Sequence, residues 1–135
     1  MSVHTIENCG AAVIKNGLLY IRGGSSVQCK LDEVYIIQYN EQSKTLLLNF
    51  GTNTVQTIMP KDTTVQFFLN TLPSYFSNVY ENSLLTCFNM LAVSFIELKE
   101  NTIYIQFTNG FSLNITGKDV QSTFINMCSV LEYIV

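Results

Sequence analysis

The stretch from Thr102 to Val135 decides the fold: it reads TIYIQF, TNG, FSLNITG and then KDVQSTFINMCSVLEYIV. Apolar residues alternate in the first and third of these segments, which predicts two strands. Asn109-Gly110 between them is a strong hairpin turn signal. After Gly117, Asp119 is placed to cap a helix, and apolar residues recur at helical spacing from Val120 onward. The stretch therefore predicts strand, turn, strand, helix.

An earlier stretch, Thr45 to Phe76, predicts the same order of elements. Three residues recur at one separation in the two stretches: Phe50 with Phe107, Lys61 with Lys118, and Asp62 with Asp119. We therefore predict an α+β fold made of two copies of an antiparallel sheet followed by one helix. Repeat one covers about residues 11–76 and repeat two about 84–135, within a single compact domain, 1–135. The alternative is chance, because strand-strand-helix is a common pattern.

The composition is poor in charge for a soluble domain. Of 135 residues, 13% are charged and 47% hydrophobic, and the mean hydropathy is +0.24. An ordinary soluble domain carries about 25% charged residues. No apolar run reaches the roughly 20 residues that span a bilayer. The excess apolar surface is therefore expected to be buried against other protein, in a homo-oligomer or a larger assembly.

Charge and motif content argue against several function classes. The net charge is −3 and the seven Lys and Arg residues show no cluster along the chain, which disfavours nucleic acid as a partner. The four cysteines have no metal-ligand spacing, and the only histidine is His4. We predict no cofactor, no metal and no enzymatic activity. The N-terminus lacks the pattern of an export signal, which predicts an intracellular protein.

Both faces of the predicted strands carry apolar or tyrosine side chains, where a sheet with one wet face should alternate apolar and polar. The candidate interface residues on the second face are Tyr35, Ile37, Tyr39, Leu47 and Tyr104. Tyrosine suits such contacts because it combines an apolar ring with a polar tip. The alternative is that the chain covers both faces itself.

The order of elements resembles the Whirly and purine-rich-element-binding proteins. That resemblance implies single-stranded nucleic-acid binding on a sheet surface, with Tyr35, Tyr39 and Tyr104 as base-stacking platforms. The segment Phe107-Thr-Asn-Gly, followed by Lys118-Asp-Val and Phe124, is also similar in style to small phage-type proteins. This second resemblance implies a virion or assembly component.

These observations favour a non-enzymatic structural protein that acts as a subunit of a larger assembly, such as a viral (phage) virion. The first alternative is a single-stranded nucleic-acid-binding module. The second is an oligomer that sequesters a small ligand between subunits.

Overall fold

A computed structural model describes residues 2–6, 9–23 and 26–134, and within these it contains twelve strands and two α-helices. In chain order the elements are β1 (Ser2–Ile6), β2 (Cys9–Lys15), β3 (Leu18–Gly23), β4 (Ser26–Lys30), β5 (Ile36–Asn40), β6 (Thr45–Asn49), β7 (Asn53–Ile58), α1 (Val65–Thr71), β8 (Phe76–Glu81), β9 (Leu84–Asn89), β10 (Val93–Lys99), β11 (Thr102–Phe107), β12 (Ser112–Thr116) and α2 (Val120–Ile134). Short 3-10 turns occupy Leu31–Glu33 and Met90–Ala92. The predicted α+β class is confirmed.

The described strands form three sheets, a central one and two smaller ones. The central sheet has six strands in the order β1-β7-β6-β5-β9-β8, and all its pairs are antiparallel except β1 with β7. Two three-stranded sheets, β2-β3-β4 and β10-β11-β12, accompany it. We call these the central sheet, the N-terminal sheet and the C-terminal sheet.

One face of the central sheet packs against the N-terminal sheet and α1. Ile37 and Tyr39 of β5 are 1% and 0% exposed on this face. They share a core with Leu19 of β3 and Phe68 of α1. The Tyr39 ring lies 4.8 Å from that of Phe68, and its hydroxyl donates a hydrogen bond to the carbonyl of Thr63 at 2.9 Å. This face is therefore sealed by the chain's own elements.

The opposite face of the central sheet packs against the C-terminal sheet and α2. Ile36, directly preceding Ile37 in β5, points to this side because successive side chains of a strand alternate. It joins Phe107 of β11 and Met127 of α2 in a second core. The apolar second face expected from the sequence therefore exists, but the same chain covers much of it.

The side-chain amide of Asn89 is buried and forms hydrogen bonds with backbone groups of two other segments. Asn89 is 0% exposed, and its Nδ2 donates to the carbonyls of Asp32 at 2.9 Å and Val34 at 2.8 Å. Its Oδ1 accepts the N–H of Leu91 at 3.0 Å. Buried polar groups are tolerated only when hydrogen-bonded, and this side chain is bonded at both ends.

The start of α1 differs from the prediction. Asp62, the counterpart of Asp119 in the predicted repeat, is the cap that the sequence indicates, but Thr64 holds the capping position and its Oγ1 accepts the Phe67 N–H at 3.4 Å. The helix stops at Thr71, two residues before Pro73, as proline requires. Strands β1 and β8 are further differences, because neither segment was predicted as a strand from the sequence.

The internal duplication stays a prediction. The series β5, β6, β7, α1 and the series β10, β11, β12, α2 have the same order of elements. The first three strands, however, belong to a six-stranded sheet and the second three form a sheet of their own. Strand β9, assigned to repeat two, pairs with β5 of repeat one. The two segments are thus not separate structural units.

No helix in the described part of the chain is long and apolar enough to cross a membrane.

Candidate functional site

The N-terminal sheet has a tight turn that fixes the register of its first hairpin. The turn Asn16-Gly17 joins β2 to β3, and both residues have positive φ, 55° and 74°, as a two-residue hairpin turn requires. Asparagine and glycine tolerate this conformation better than other residues. The register then places Lys15, Leu18 and Lys30 in one row across the three strands.

Alternation along these strands separates an inner and an outer face. Leu19 and Ile21 of β3 are 1% and 0% exposed and belong to the first core. Residues of the opposite parity therefore lie on the outer face. We define the basic sheet face as these outer residues: Val13, Lys15, Leu18, Tyr20, Gln28 and Lys30. Lys15 and Lys30 are exposed, and Leu18 and Tyr20 are partly exposed.

The basic sheet face concentrates positive charge in a chain whose net charge is −3. Strands β2, β3 and β4 contain Lys15, Arg22 and Lys30, three of the seven Lys and Arg residues, and none of the ten Asp and Glu residues. Lys15 and Lys30 lie two strand spacings apart, a Cα separation of about 10 Å. The face can therefore meet more than one anionic group at once.

Tyr20 gives this face an aromatic side chain next to its cations. It occupies the row Val13, Tyr20, Gln28, adjacent to the row that holds both lysines. Val13 is 50% exposed, so this row has apolar as well as polar surface. Flat aromatic rings beside Lys and Arg are the combination that contacts bases and phosphates together.

A cleft of about 490 Å³ runs along the free edge of β4, beside the basic sheet face. Its lining includes Gln28 and Lys30 from that face, with Phe50 and Asn53 opposite. Glu33 also lines the cleft, so a carboxylate lies next to the positive surface on that side.

The thiols of Cys29 and Cys87 have low reactivity. Burial, reinforced by the charge of Glu33, raises the pKa of Cys29 from 9.0 to about 11. Burial alone raises the pKa of Cys87 from 9.0 to about 12. Both side chains therefore stay protonated near neutral pH, and a thiol is a poor nucleophile compared with a thiolate. Among the residues with described side chains, no three His, Cys, Asp or Glu residues group as a metal site.

The five interface residues predicted from the sequence do not come together. Ile37 and Tyr39 lie in the first core and offer no surface to a partner, which corrects their assignment. Tyr35 stacks on Phe107 with ring centroids 4.8 Å apart, at the margin of the second core. Leu47 is partly exposed in a groove on the central sheet, and Tyr104 is 37% exposed on the C-terminal sheet.

The basic sheet face was not predicted from the sequence. Lys15, Arg22 and Lys30 are seven or eight positions apart and show no cluster along the chain. Only the hairpin register brings them to neighbouring strands. The available signal was the parity of residues around Asn16-Gly17, read together with the absence of acidic residues between positions 9 and 30.

Comparisons with known proteins give a likeness in fold and none in sequence. No family model matches the chain, and no curated protein does. A solved structure, a LytTr DNA-binding domain of a methyl-accepting/DNA response regulator from Bacillus cereus, superimposes with a TM-score of 0.58 at 15% identity. The match covers 87% of this chain and 98% of that domain.

This likeness corrects both resemblances drawn from the sequence. The shared fold is that of a LytTr domain, and it gives no support to a Whirly-type or purine-rich-element-binding architecture. It gives none to a phage virion component either. The chain is therefore similar in fold to that LytTr domain.

Proposed function

We propose that this chain is a nucleic-acid-binding module that contacts DNA through the basic sheet face. The observation that carries the proposal is the segregation of Lys15, Arg22 and Lys30 onto three strands without an acidic residue. The likeness to a domain described as DNA-binding supports the same class. This was the alternative that the net charge alone disfavoured.

Local charge matters more than net charge for such binding. Exposed charges are screened beyond a Debye length of about 8 Å at physiological ionic strength. A phosphate near Lys15 and Lys30 is therefore governed by those two side chains and by Tyr20 between their strands, rather than by distant carboxylates. The overall charge of −3 opposes long-range attraction. We expect modest affinity with a small salt dependence.

The proposed role uses the residues of the basic sheet face without a catalytic group. It is consistent with the expectation that the chain is not an enzyme, which stays a prediction, and it implies an intracellular location. The expectation that the chain forms a homo-oligomer or a larger assembly also stays a prediction.

The test is binding of fluorescein-labelled duplex and single-stranded oligonucleotides, measured by anisotropy at about 50 mM salt and above. The variant Lys15→Glu/Lys30→Glu should abolish or strongly reduce binding. If each lysine contacts one phosphate, replacing both lowers the slope of log K against log salt by about 1.8 on duplex or about 1.4 on single strands. Tyr20→Ala should weaken binding of single strands more than binding of duplex, because unpaired bases offer their faces for stacking.

The matched control is Lys61→Glu/Lys99→Glu, which makes the same change of net charge at two exposed lysines away from the face. Equal losses in the two double variants would show that binding follows overall charge and would contradict a specific face. Absence of any binding at about 50 mM salt would remove the proposal.

A further inference from the structure

Strand β12 is an unprotected edge of the C-terminal sheet. In the strand order β10-β11-β12 it has β11 on one side, and the structure pairs no described strand with its other side. Proteins usually blunt such edges with charges, proline or bulges. The opposite edge, β10, has a bulge after Val93 and carries Glu97 and Lys99. Strand β12 reads SLNIT and has none of these features.

The register shows which backbone groups of β12 are free. The two-residue turn Glu100-Asn101, with φ values of 51° and 62°, makes Lys99 and Thr102 a hydrogen-bonded pair. Even-numbered residues of β11 therefore bond to β10, and odd-numbered ones bond to β12. The hydrogen bond from the Phe107 N–H to the Phe111 carbonyl, at 2.7 Å, agrees with this alternation. Residues opposite Thr102, Tyr104 and Gln106 then direct their N–H and C=O groups outward: Thr116, Asn114 and Ser112.

This free edge faces a groove rather than open solvent. A cavity of about 360 Å³ touches four consecutive residues of β12, 113–116. Successive side chains point to opposite faces, so a cavity that touches all four lies alongside the edge. Its floor is one face of the central sheet, because it is lined by alternate residues of three neighbouring strands: Ile36 and Gln38, Leu47 and Asn49, Thr86 and Phe88.

The groove continues toward the end of β12. A second cavity of about 470 Å³ shares Thr86, Phe88, Ile115 and Thr116 with the first. Its lining includes Glu81, the one charged residue that lines either cavity. The Glu81 carboxylate lies 3.9 Å from the position that a Cβ would occupy at Gly117. The groove is therefore neutral along most of its length and acidic at one end.

These features select an extended polypeptide as the occupant. Free N–H and C=O groups in a strand-like row are satisfied by the backbone of another strand. The edge is recessed beside the chain's own sheet, so a slender segment can enter where the edge of a second folded copy cannot. The absence of lysine and arginine from the lining disfavours nucleic acid. The carboxylate at one end complements a basic residue.

We propose that the groove between β12 and the central sheet binds an extended peptide segment of a partner protein by strand addition. The segment pairs with Asn114 and Thr116, places alternate side chains over Gln38, Leu47 and Thr86, and carries a Lys or Arg near Glu81. This site is on a different surface from the basic sheet face and does not depend on DNA binding.

The test uses the full chain and a set of fluorescein-labelled heptapeptides. Each peptide has lysine at both ends and threonine alternating with a varied position: Val, Ile, Leu, Phe or Thr. Anisotropy should identify members that bind. The variant Asn114→Pro removes an outward N–H without touching the bonds to β11, and it should weaken binding about three- to tenfold, the effect of one lost hydrogen bond. Asn114→Ala keeps that N–H and should change affinity less than about twofold.

Further measurements keep the result decisive if Asn114→Pro folds poorly. N-methylation of alternate residues in a binding peptide removes every second backbone N–H donor. Of the two peptides made in this way, methylated at odd or at even positions, one should no longer bind the unaltered protein. Glu81→Gln should reduce the preference for a terminal lysine over a terminal glutamine.

Four outcomes would overturn the proposal: no member of the set binds, N-methylation in both registers has no effect, an oligonucleotide displaces the peptide, or Asn114→Pro only lowers a concentration-dependent molecular mass. The last outcome would assign the edge to a second copy of the chain. Lys15→Glu/Lys30→Glu, which tests the DNA-binding face, should leave peptide affinity unchanged.

Discussion

At the scale of single residues, Gly51 shows how closely the second core approaches the turn between β6 and β7. Its φ is +87°, and an added Cβ would lie 2.8 Å from Cε2 of Tyr35 and 3.0 Å from Nδ2 of Asn109. The Tyr35 ring is itself held by stacking on Phe107 at 4.8 Å and cannot retreat freely. Glycine is needed here both for the backbone angle and for the space.

We predict that Gly51→Ala destabilises the fold by more than the backbone angle alone requires. Gly110→Ala is a matched control, because Gly110 has a φ of +91° and nothing lies within 4 Å of an added Cβ. Each substitution should cost about 1 kcal/mol or more for the positive φ. Gly51→Ala should cost about 1–3 kcal/mol more, the range for overpacking. Urea unfolding would measure both, and equal losses would mean that the Tyr35 contact is easily relieved.

At the scale of elements, α1 shows where a local sequence signal is ambiguous. Asp62, Thr63 and Thr64 can each cap a helix by side-chain chemistry. Thr64 holds the position because Val65 and Phe68 must both reach the first core, which fixes where the helix starts. Packing with distant residues therefore decided between neighbouring candidates.

Removing the actual cap should cost more than removing the expected one. We predict that Thr64→Ala lowers the free energy of unfolding by about 1 kcal/mol. Asp62 is exposed and lies outside the helix, so Asp62→Ala should change it by less than about 0.5 kcal/mol. Thermal unfolding followed by circular dichroism would check both. A larger effect of Asp62→Ala would return the cap to that carboxylate.

Strands with strong local signals were predictable from the sequence and others were not. Turn residues and alternation indicated β11 and β12, and β-branched residues indicated β5. Strand β8 was not predicted because its apolar residues, Phe76, Val79 and Tyr80, do not alternate with polar ones, and its order depends on pairing with β9. The basic sheet face was missed for a related reason, since it exists only after three strands have paired.

At the scale of the whole molecule, low charge was taken as a sign of obligatory partners. The structure gives a different account of most of that apolar content, because one sheet supports two cores and so buries residues on both faces. Composition reports how much apolar material a chain holds. It does not report how many layers the chain makes from it, and that depends on contacts between residues far apart in sequence.

The buried thiols predict how stability responds to alkaline pH. Burial raises the pKa of Cys87 to about 12, whereas in the unfolded chain it is near its ordinary value of 9.0. The unfolded chain therefore loses its thiol proton first as the pH rises. The resulting contribution to stability is complete below pH 9.0 and is lost progressively between there and about pH 12.

We predict that the free energy of unfolding in urea falls as the pH rises above 9.0, by at most about 1.4 kcal/mol per pH unit for Cys87. Cys87→Ala should be less stable at pH 8 and should show a shallower decline. Cys128→Ala is the control, since the Cys128 side chain is only partly buried. An unchanged slope in Cys87→Ala would contradict this origin of the alkaline sensitivity.

Strand β5 contributes side chains to both cores, because Ile37 lies in the first core and Ile36 in the second. The two cores are therefore expected to unfold together, because β5 belongs to both and cannot be ordered in one and disordered in the other. Cleavage of the chain between Asn82 and Ser83, near the predicted start of repeat two, would leave β5 and its paired strand β9 on separate fragments. We expect the two fragments to fold only when they associate with each other, and neither fragment to fold alone.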